Sequence, residues 1–300
     1  MKIAEAERLL KEKLSSIYDE GEARSIADLA MEHITSLSKS DRLLRKEEGL
    51  SPHQLQQWQQ DTERLLQHEP VQYVMSKAWF YGMELFVNKA VLIPRPETEE
   101  LVEWIVHEVR AWGKDVFEKR PTEADETRAL KILDVGTGSG CIALALKKAM
   151  PRAEVWGCDV SEEALNVARR NGAALDIRVD FQGVNFLDDN QQKSLPRIDI
   201  VVSNPPYIPL KDKEEMNPNV VAHEPHTALF VPDDNALVFY TALAKFGKQR
   251  LHPNGCIYME IHENLGQAVV RLFQQQGYEH VELKKDMQGK DRMVKAVKAL

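Results

Sequence analysis

The first seventy residues carry hydrophobic side chains at the spacing of amphipathic helices. Leu10, Leu14 and Ile17 recur three to four positions apart, and a similar pattern follows between positions 26 and 34. Ser51 followed by Pro52 is typical of a helix start, and this helix is predicted to run to about position 67. This stretch has neither a glycine-rich loop nor a set of metal ligands. We therefore expect residues 1–70 to form a helical domain for docking rather than for chemistry.

The pattern changes between residues 71 and 96. Residues 79–87 are aromatic and partly alternating, with turn signals at Gly82 and Asn88. This segment predicts a β-hairpin that links two domains. A further apolar run at 91–93 predicts a strand that ends in a stiff, proline-rich corner.

A helix is predicted directly after this corner. Hydrophobic residues between positions 101 and 109 have helical spacing, and Thr98 is expected to be its N-terminal cap. Residues 114–127 are charged and nearly free of large apolar side chains, so we expect them to form an exposed connection.

From position 129 onward, predicted strands alternate with predicted helices. The strands are expected at 131–135, 153–159, 177–181, 198–203, 255–261, 278–284 and 292–297, and the helices at 141–148, 162–170, 236–250 and 265–275. Repeated β–α units favour a mostly parallel sheet with helices on both faces. The last two strands are separated by too few residues for a crossover helix, so they are expected to pair antiparallel.

Composition narrows the classes of function. The chain has 300 residues and a net charge of −8, which argues against tight binding to a nucleic-acid backbone. No apolar run approaches the ~20 residues of a membrane-spanning helix, and residues 1–7 lack the apolar core of a signal peptide. Three cysteines lie far apart without metal-ligand spacing. We expect a cytoplasmic protein that binds no metal.

The sequence Asn204-Pro205-Pro206-Tyr207 follows the apolar strand at 198–203. Two consecutive prolines forbid a helix and remove two backbone donors, which leaves a stiff row of carbonyl oxygens beside the Asn204 amide. Acceptors in this arrangement can hold both hydrogens of a planar –NH₂ group and stabilise positive charge that develops on its nitrogen. The motif therefore predicts transfer of an alkyl group to a conjugated amino group.

A glycine-rich loop joins the first strand of the predicted sheet to the helix that follows it. Its sequence is Asp134-Val135-Gly136-Thr137-Gly138-Ser139-Gly140. Alternate glycines allow a sharp turn and a close approach of ligand to backbone amides. The spacing differs from the G-x-G-x-x-G of dinucleotide sites, and Asp134 would repel a pyrophosphate but attract a cationic amino group.

Two further strand ends complete this candidate ligand site. Asp159 ends the second strand, where a carboxylate suits the hydroxyls of a ribose. Asn185 and Phe186 follow the third strand, where an aromatic face can stack on adenine. A ligand with an amino acid end, a ribose and an adenine but no phosphate is S-adenosylmethionine. Each residue alone is also compatible with a structural role, Asp159 as a strand-end cap and Phe186 as a core residue.

With these motifs the chain resembles the class I S-adenosylmethionine methyltransferases that act on nitrogen. A narrower resemblance, over nearly the whole chain, is to the HemK-type (PrmC-type) release-factor glutamine methyltransferases. It is carried by residues 69–73, 79–87, 92–99 (Leu-Ile-Pro-Arg-Pro-Glu-Thr-Glu), 224–229 and 289–292. The chain departs from the family in the long charged segment at 114–127 and at Asn185, where a carboxylate is common.

The resemblance implies a Rossmann-like α/β methyltransferase domain at 97–300, with a seven-stranded, mostly parallel sheet and an antiparallel last strand. A β-hairpin linker at 71–96 and a substrate-docking domain at 1–70 would precede it. The implied partner is a class 1 peptide-chain release factor, methylated on the glutamine of its Gly-Gly-Gln motif.

The resemblance also implies roles for individual residues. Asn204 and the Pro205 carbonyl would bind the substrate amide, Tyr207 would pack against its planar face, and Pro206 and Arg95 would complete the substrate site. The methyl donor would lie against Asp134, the Gly136–Gly140 loop, Asp159, Asn185, Phe186 and Asn204.

Alternatives remain open from the sequence. A ribosomal-protein glutamine methyltransferase or a DNA or RNA amino-methyltransferase shares the Asn-Pro-Pro-Tyr motif. A non-catalytic binding protein on the same fold is disfavoured by the intact motifs. His223 and His226 follow the motif closely, and we expect them to shape the pocket rather than to act in acid–base catalysis.

Overall fold

The computed structural model describes residues 1–115 and 129–299, with the side chains of 112–115 and 215 outside that description. The described chain forms two compact units. The first unit comprises Met1–Lys77 and Met216–His223, and the second comprises Ala78–Glu215 and Glu224–Leu300.

The first unit is built of helices. They are α1 (Ile3–Leu14), α2 (Glu20–Thr35), α3 (Lys39–Leu44), α4 (Pro52–Leu66), α5 (Val71–Met75) and, from the second segment, α9 (Pro218–His223). The Ser51 hydroxyl accepts from the Gln54 amide at the start of α4, and Pro52 occupies the first turn, as the sequence predicts. Leu10, Leu14 and Trp58 are buried in the core of this unit.

The second unit begins with a hairpin and a proline-rich segment. Strands β1 (Lys77–Phe80) and β2 (Met83–Phe86) pair across a turn in which Tyr81 and Gly82 both have positive φ. The strand predicted at 91–93 is wrong, because these residues belong to no strand. The Ile93 amide donates instead to the Glu224 carboxylate, 3.2 Å away.

Helix α6 (Pro96–Asp115) follows. The prediction that Thr98 caps this helix is wrong, because the helix already begins at Pro96, which suits the first helical position. The Thr98 hydroxyl instead donates to the buried carboxylate of Glu260. Of the predicted connection at 114–127, residues 116–127 lie outside the described residues.

A seven-stranded sheet forms the centre of the second unit. Its strands are β3 (Lys131–Val135), β4 (Glu154–Asp159), β5 (Asp180–Gly183), β6 (Ile198–Ser203), β9 (Leu251–Glu260), β10 (Tyr278–Lys285) and β11 (Asp291–Lys298). Their order across the sheet is β10-β11-β9-β6-β3-β4-β5. Strand β11 runs antiparallel to both of its neighbours, and the pairs from β9 to β5 are parallel. The predicted α/β class, mostly parallel sheet and antiparallel last strand are confirmed.

Helices cover both faces of this sheet. On one face, α6, α7 (Cys141–Ala149) and α8 (Glu162–Ala174) pack in one buried cluster with Ile200 and Val202 of β6. On the other face, α11 (Val238–Arg250) and α12 (Gly266–Gln275) pack in a second cluster with Val201 of the same strand. Because β6 is covered on both faces, its whole length is buried, as its apolar run at 200–202 indicates.

Short elements lie between β6 and α11. They are β7 (Ile208–Pro209), α10 (His226–Leu229) and β8 (Phe230–Val231), and β7 and β8 pair parallel. In the part of the chain that the structure describes, no helix has both the length and the apolar character needed to cross a membrane.

Two predicted strands start several residues from the predicted position, because β9 begins at Leu251, four residues before the predicted start at 255, and β5 begins later than predicted. Strand β5 begins at Asp180, three residues later than the predicted start at 177. Asp176 has a positive φ of 53°, and the Ile177 amide next to it donates to the Gly172 carbonyl, which terminates α8. Residues 177–179 therefore connect the end of α8 to β5 and do not belong to the strand.

Candidate active site

A cavity of about 430 Å³ lies at the carboxyl ends of the parallel strands in the second unit. Its walls come from the loops that follow β3, β4, β5 and β6, together with residues 90–95 and parts of 225–239. The lining includes most of the predicted site residues, namely Arg95, Gly136, Thr137, Gly138, Ser139, Asp159, Asn185, Phe186, Asn204, Pro205 and Pro206.

The glycine loop forms one wall because it turns directly from β3 into α7. Gly136, Gly138 and Gly140 all have positive φ, a conformation that other residues rarely adopt. A Cβ atom on Gly140 would lie 3.1 Å from the Cβ of Ala168 and from the Phe181 ring, so α8 packs closely against this glycine. The loop therefore exposes its backbone to the cavity while its helix stays in contact with the core.

Asp134 lies fully buried beneath this loop and is not part of the cavity wall. Its Oδ2 accepts from the Thr137 hydroxyl at 2.6 Å and from the Ala143 amide at 3.2 Å. Its Oδ1 has no hydrogen-bond partner among the described residues. Burial raises the pKa of Asp134 to about 7. A cationic donor near Oδ1 would satisfy this oxygen and favour the ionised form.

Asp159 supports the loop from the end of β4. Its Oδ2 accepts from the Gly138 amide and its Oδ1 from the Ser161 amide, both at 2.9 Å. Burial raises the pKa of Asp159, and these backbone amides oppose that rise. Each carboxylate oxygen can accept more than one hydrogen bond, so Asp159 remains able to accept from a ligand hydroxyl in the cavity.

The loop after β5 supplies both polar and apolar wall residues. Asn185 is exposed, and its Oδ1 accepts from the Leu187 amide at 3.0 Å. Phe186 is buried and packs against Phe246 with ring centroids 5.1 Å apart. Val160 and Leu187, which were not predicted, also line the cavity and are exposed. Their only sequence signal is that they directly follow Asp159 and Phe186.

Asn204 is held by a chain of buried polar groups. Its Nδ2 donates to the Thr98 hydroxyl at 3.0 Å, and Thr98 donates to Glu260 Oε2 at 2.6 Å. The Tyr207 hydroxyl donates to the other oxygen of Glu260 at 3.0 Å. Asn204, Pro205 and Pro206 line the cavity, whereas Tyr207 does not. Glu260 was not predicted, and its one signal is a charge at the end of an apolar strand.

Arg95 reaches the cavity from the segment before α6. Its guanidinium donates to Glu224 Oε1 at 2.5 Å, and the Glu224 side chain is 1% exposed while that of Arg95 is 34% exposed. Glu224 also accepts from the Ile93 amide. One buried carboxylate thus anchors both the backbone and the charged side chain of the 92–99 segment.

The two histidines have separate surroundings. His223 belongs to the first unit, where its Nε2 lies 3.0 Å from the Gln67 carbonyl oxygen. His226 belongs to the second unit and meets the Phe230 ring edge-on, with centroids 5.3 Å apart. Neither is part of the cavity wall. The described residues contain no cluster of side chains suited to a metal ion.

The seven-stranded sheet with its glycine loop, strand-end carboxylate and Asn-Pro-Pro-Tyr motif defines a class I methyltransferase. A family model described as methyltransferase small domain matches residues 121–227, and one described as PrmC N-terminal domain matches residues 3–75. The catalytic domain of hMettl16, solved with a 3'UTR hairpin, has the same fold, with a TM-score of 0.50 and 18% identity over 73% of this chain and 76% of that chain.

Curated relatives define the family. The release factor glutamine methyltransferase of Flavobacterium psychrophilum is 39% identical over 285 residues, which cover 94% of each chain. That of Bacteroides thetaiotaomicron is 38% identical over 289 residues, covering 96% of this chain and 97% of the relative. The chain belongs to the release factor glutamine methyltransferase family.

Proposed function

We propose that this enzyme transfers a methyl group from S-adenosylmethionine to the side-chain amide nitrogen of the glutamine in the Gly-Gly-Gln motif of class 1 peptide-chain release factors. The observation that carries this proposal is the orientation of Asn204. Its –NH₂ group is committed to Thr98, so its oxygen is left to accept from a ligand in the cavity.

The residues around the cavity fit the proposed methyl donor. Asp159 in the wall suits the hydroxyls of a ribose, and Asp134, buried beneath the glycine loop with its Oδ1 unpartnered, favours an ammonium group at that end of the cavity by its negative charge when ionised. Val160, Phe186 and Leu187 offer apolar surface to an adenine. When bound, S-adenosylmethionine supplies an activated methyl group and a neutral leaving group.

The protein side of the reaction consists of binding and electrostatics. The Asn204 oxygen and the Pro205 carbonyl accept the two hydrogens of the substrate amide, which favours the pyramidal form of its nitrogen and stabilises positive charge there. Pro206 lies beside the planar amide in the cavity wall, and Tyr207, which lies outside that wall with its hydroxyl held by Glu260, supports this end of the motif. No strong general base is required, because the nitrogen becomes acidic once it carries the methyl group and positive charge, and its proton then passes to water.

Two further parts of the molecule bind the partner in this proposal. Arg95 has guanidinium donors besides the one held by Glu224, and these reach carbonyl oxygens of the loop that carries the glutamine. Residues 1–70 dock the release factor, and residues 71–96, which contain the hairpin of β1 and β2, link them to the methyltransferase domain at 97–300. The net charge of −8 favours a protein substrate over a nucleic acid, and such a substrate places the reaction in the cytoplasm.

The variant Asn204→Ala tests the chemical role. Loss of one charge-stabilising contact of this kind lowers kcat by about 10²–10³-fold, while the dissociation constant of S-adenosylmethionine changes little. Methyl transfer and donor titration measure the two quantities. The exposed Asn190→Ala serves as the matched control and is expected to behave like the native enzyme. Native turnover in Asn204→Ala, with donor still bound, would sink the assignment.

A further inference from the structure

Three side chains far apart in sequence form one continuous chain of hydrogen bonds that begins at the cavity wall, which Asn204 and Thr98 both line, and ends at the buried Glu260. Asn204 Nδ2 donates to Thr98 Oγ1, and Thr98 donates to Glu260 Oε2. Both Thr98 and Glu260 are 2% exposed. Thr98 lies in α6 and Glu260 at the end of β9, so two elements of the sheet-and-helix core hold one side chain of the substrate site.

The direction of each hydrogen bond follows from the chemistry of the groups. An ionised carboxylate only accepts, so the single hydroxyl hydrogen of Thr98 must point to Glu260. The lone pairs of that hydroxyl then require a donor, and the –NH₂ group of Asn204 provides it. The Asn204 oxygen therefore faces the opposite direction, toward the cavity. Reversal of any one bond would reverse the orientation of the amide.

The surroundings of Glu260 bear on its charge. Burial raises the pKa of Glu260, whereas the hydroxyls of Thr98 and Tyr207 and the positive charge of Arg292 favour the ionised, acceptor-only form. The Tyr207 hydroxyl occupies the second carboxylate oxygen. One carboxylate thus contacts Tyr207 directly and Asn204 through Thr98, at the two ends of the motif.

We propose that Thr98 and Glu260 are positioning residues that fix the orientation of the Asn204 amide, so that its oxygen and not its –NH₂ group meets the substrate nitrogen. This inference rests on the proposed function, because it matters for catalysis only if Asn204 accepts a hydrogen from the substrate amide. With the amide reversed, two –NH₂ groups would face each other and the substrate would lose an acceptor.

Kinetics of isosteric variants test the proposal. Thr98→Val removes the hydroxyl and keeps the side-chain shape, whereas Thr98→Ser keeps the hydroxyl and removes a methyl group. We expect Thr98→Val to lower kcat by about tenfold or more, the scale of one hydrogen bond, with the KM for S-adenosylmethionine within about twofold of native. Thr98→Ser should retain most of the native kcat. Native kcat in Thr98→Val, or equal loss in Thr98→Ser, would overturn the proposal.

Glu260→Gln supplies a second perturbation. Its amide can donate to Thr98, which would then donate to the Asn204 oxygen and turn the amide around, so kcat should fall at least as far as in Thr98→Val. Glu108→Gln is the matched control, because Glu108 is a second carboxylate of this unit that accepts from a tyrosine, Tyr258, and has no contact with Asn204. It should lower the melting temperature without the kcat loss. Similar kcat in both glutamine variants would contradict the proposal.

A measurement without substrate separates this inference from the proposed function. In the ¹⁵N-labelled native protein, the Asn204 side-chain –NH₂ signal, assigned by its loss in Asn204→Asp, should exchange slowly with water because Thr98 accepts from it. Thr98→Val should accelerate this exchange, and an unchanged rate would overturn the positioning role. Failure of the native enzyme to methylate a release factor would instead refute the proposed function. The exchange rate of the Asn204 –NH₂ group would still show whether Thr98 orients the amide, because that measurement uses no substrate.

Discussion

We expect the substitution of Glu224 to lower the stability of the segment that carries Arg95 in the cavity wall. The Glu224 carboxylate accepts from the Arg95 guanidinium at 2.5 Å and from the Ile93 amide at 3.2 Å. Glu224→Ala leaves the buried Ile93 amide without its acceptor and the Arg95 charge without its partner.

An unsatisfied buried amide costs ~1–3 kcal/mol, and breaking a fully buried ion pair costs ~3–5 kcal/mol. The second figure applies only in part, because the Arg95 side chain is 34% exposed and water can solvate its charge. We therefore expect Glu224→Ala to lower the free energy of unfolding by about 3 kcal/mol. This corresponds to a fall in melting temperature of roughly 6–12 °C for a domain of this size.

The ion pair between Arg169 and Glu162 is a matched control for the Glu224 prediction. Its N–O distance is also 2.5 Å, but its side chains are 42% and 65% exposed. Glu162→Ala should cost no more than ~1 kcal/mol, because water screens an exposed pair. Thermal unfolding followed by circular dichroism compares the two variants. Equal shifts in melting temperature would refute the argument that burial of Glu224 determines its contribution.

Three further predictions concern Asp159, Gly157 and Asp61. Asp159→Asn places an –NH₂ group against a backbone N–H such as that of Gly138, so titration should show about tenfold or weaker binding of S-adenosylmethionine, and native affinity would count against the site. In Gly157→Ala the new Cβ would lie 2.8 Å from the Phe181 ring, so stability should fall by ~1–3 kcal/mol in denaturant unfolding, and an unchanged midpoint would contradict this. Burial raises the pKa of Asp61 to about 6, so the folded state holds this proton more tightly than the unfolded state. Stability of the native protein should therefore fall as pH rises from about 4 to about 6, and melting curves of Asp61→Asn should lack this component.

Local sequence patterns were sufficient for most of the fold. Strand β6 was predicted from its apolar run, and α4 from its serine cap and proline, because both signals lie within the element itself. The strand prediction at 91–93 failed because a short apolar run before proline resembles a strand. The sequence does not show whether its backbone groups bond to another strand or to a side chain. The partner of the Ile93 amide is the Glu224 side chain, 131 positions away.

The candidate site was predictable only where a residue's own type and position indicate a ligand. Glycines and acids at strand ends met this condition, and most of them line the cavity. Thr98 and Glu260 did not, because their significance lies in contacts with residues 106 and 162 positions apart. No local periodicity encodes such contacts, so only the folded structure shows that Thr98 supports Asn204 rather than capping a helix.

The proposed function names both the substrate and the target atom, so one experiment can test both. The most direct test is methyl transfer from labelled S-adenosylmethionine to a class 1 release factor and to its Gly-Gly-Gln→Gly-Gly-Ala form, with duplex DNA and ribosomal protein offered in parallel. We expect label on the first protein alone. Label on both release-factor forms, or only on DNA or ribosomal protein, would contradict it.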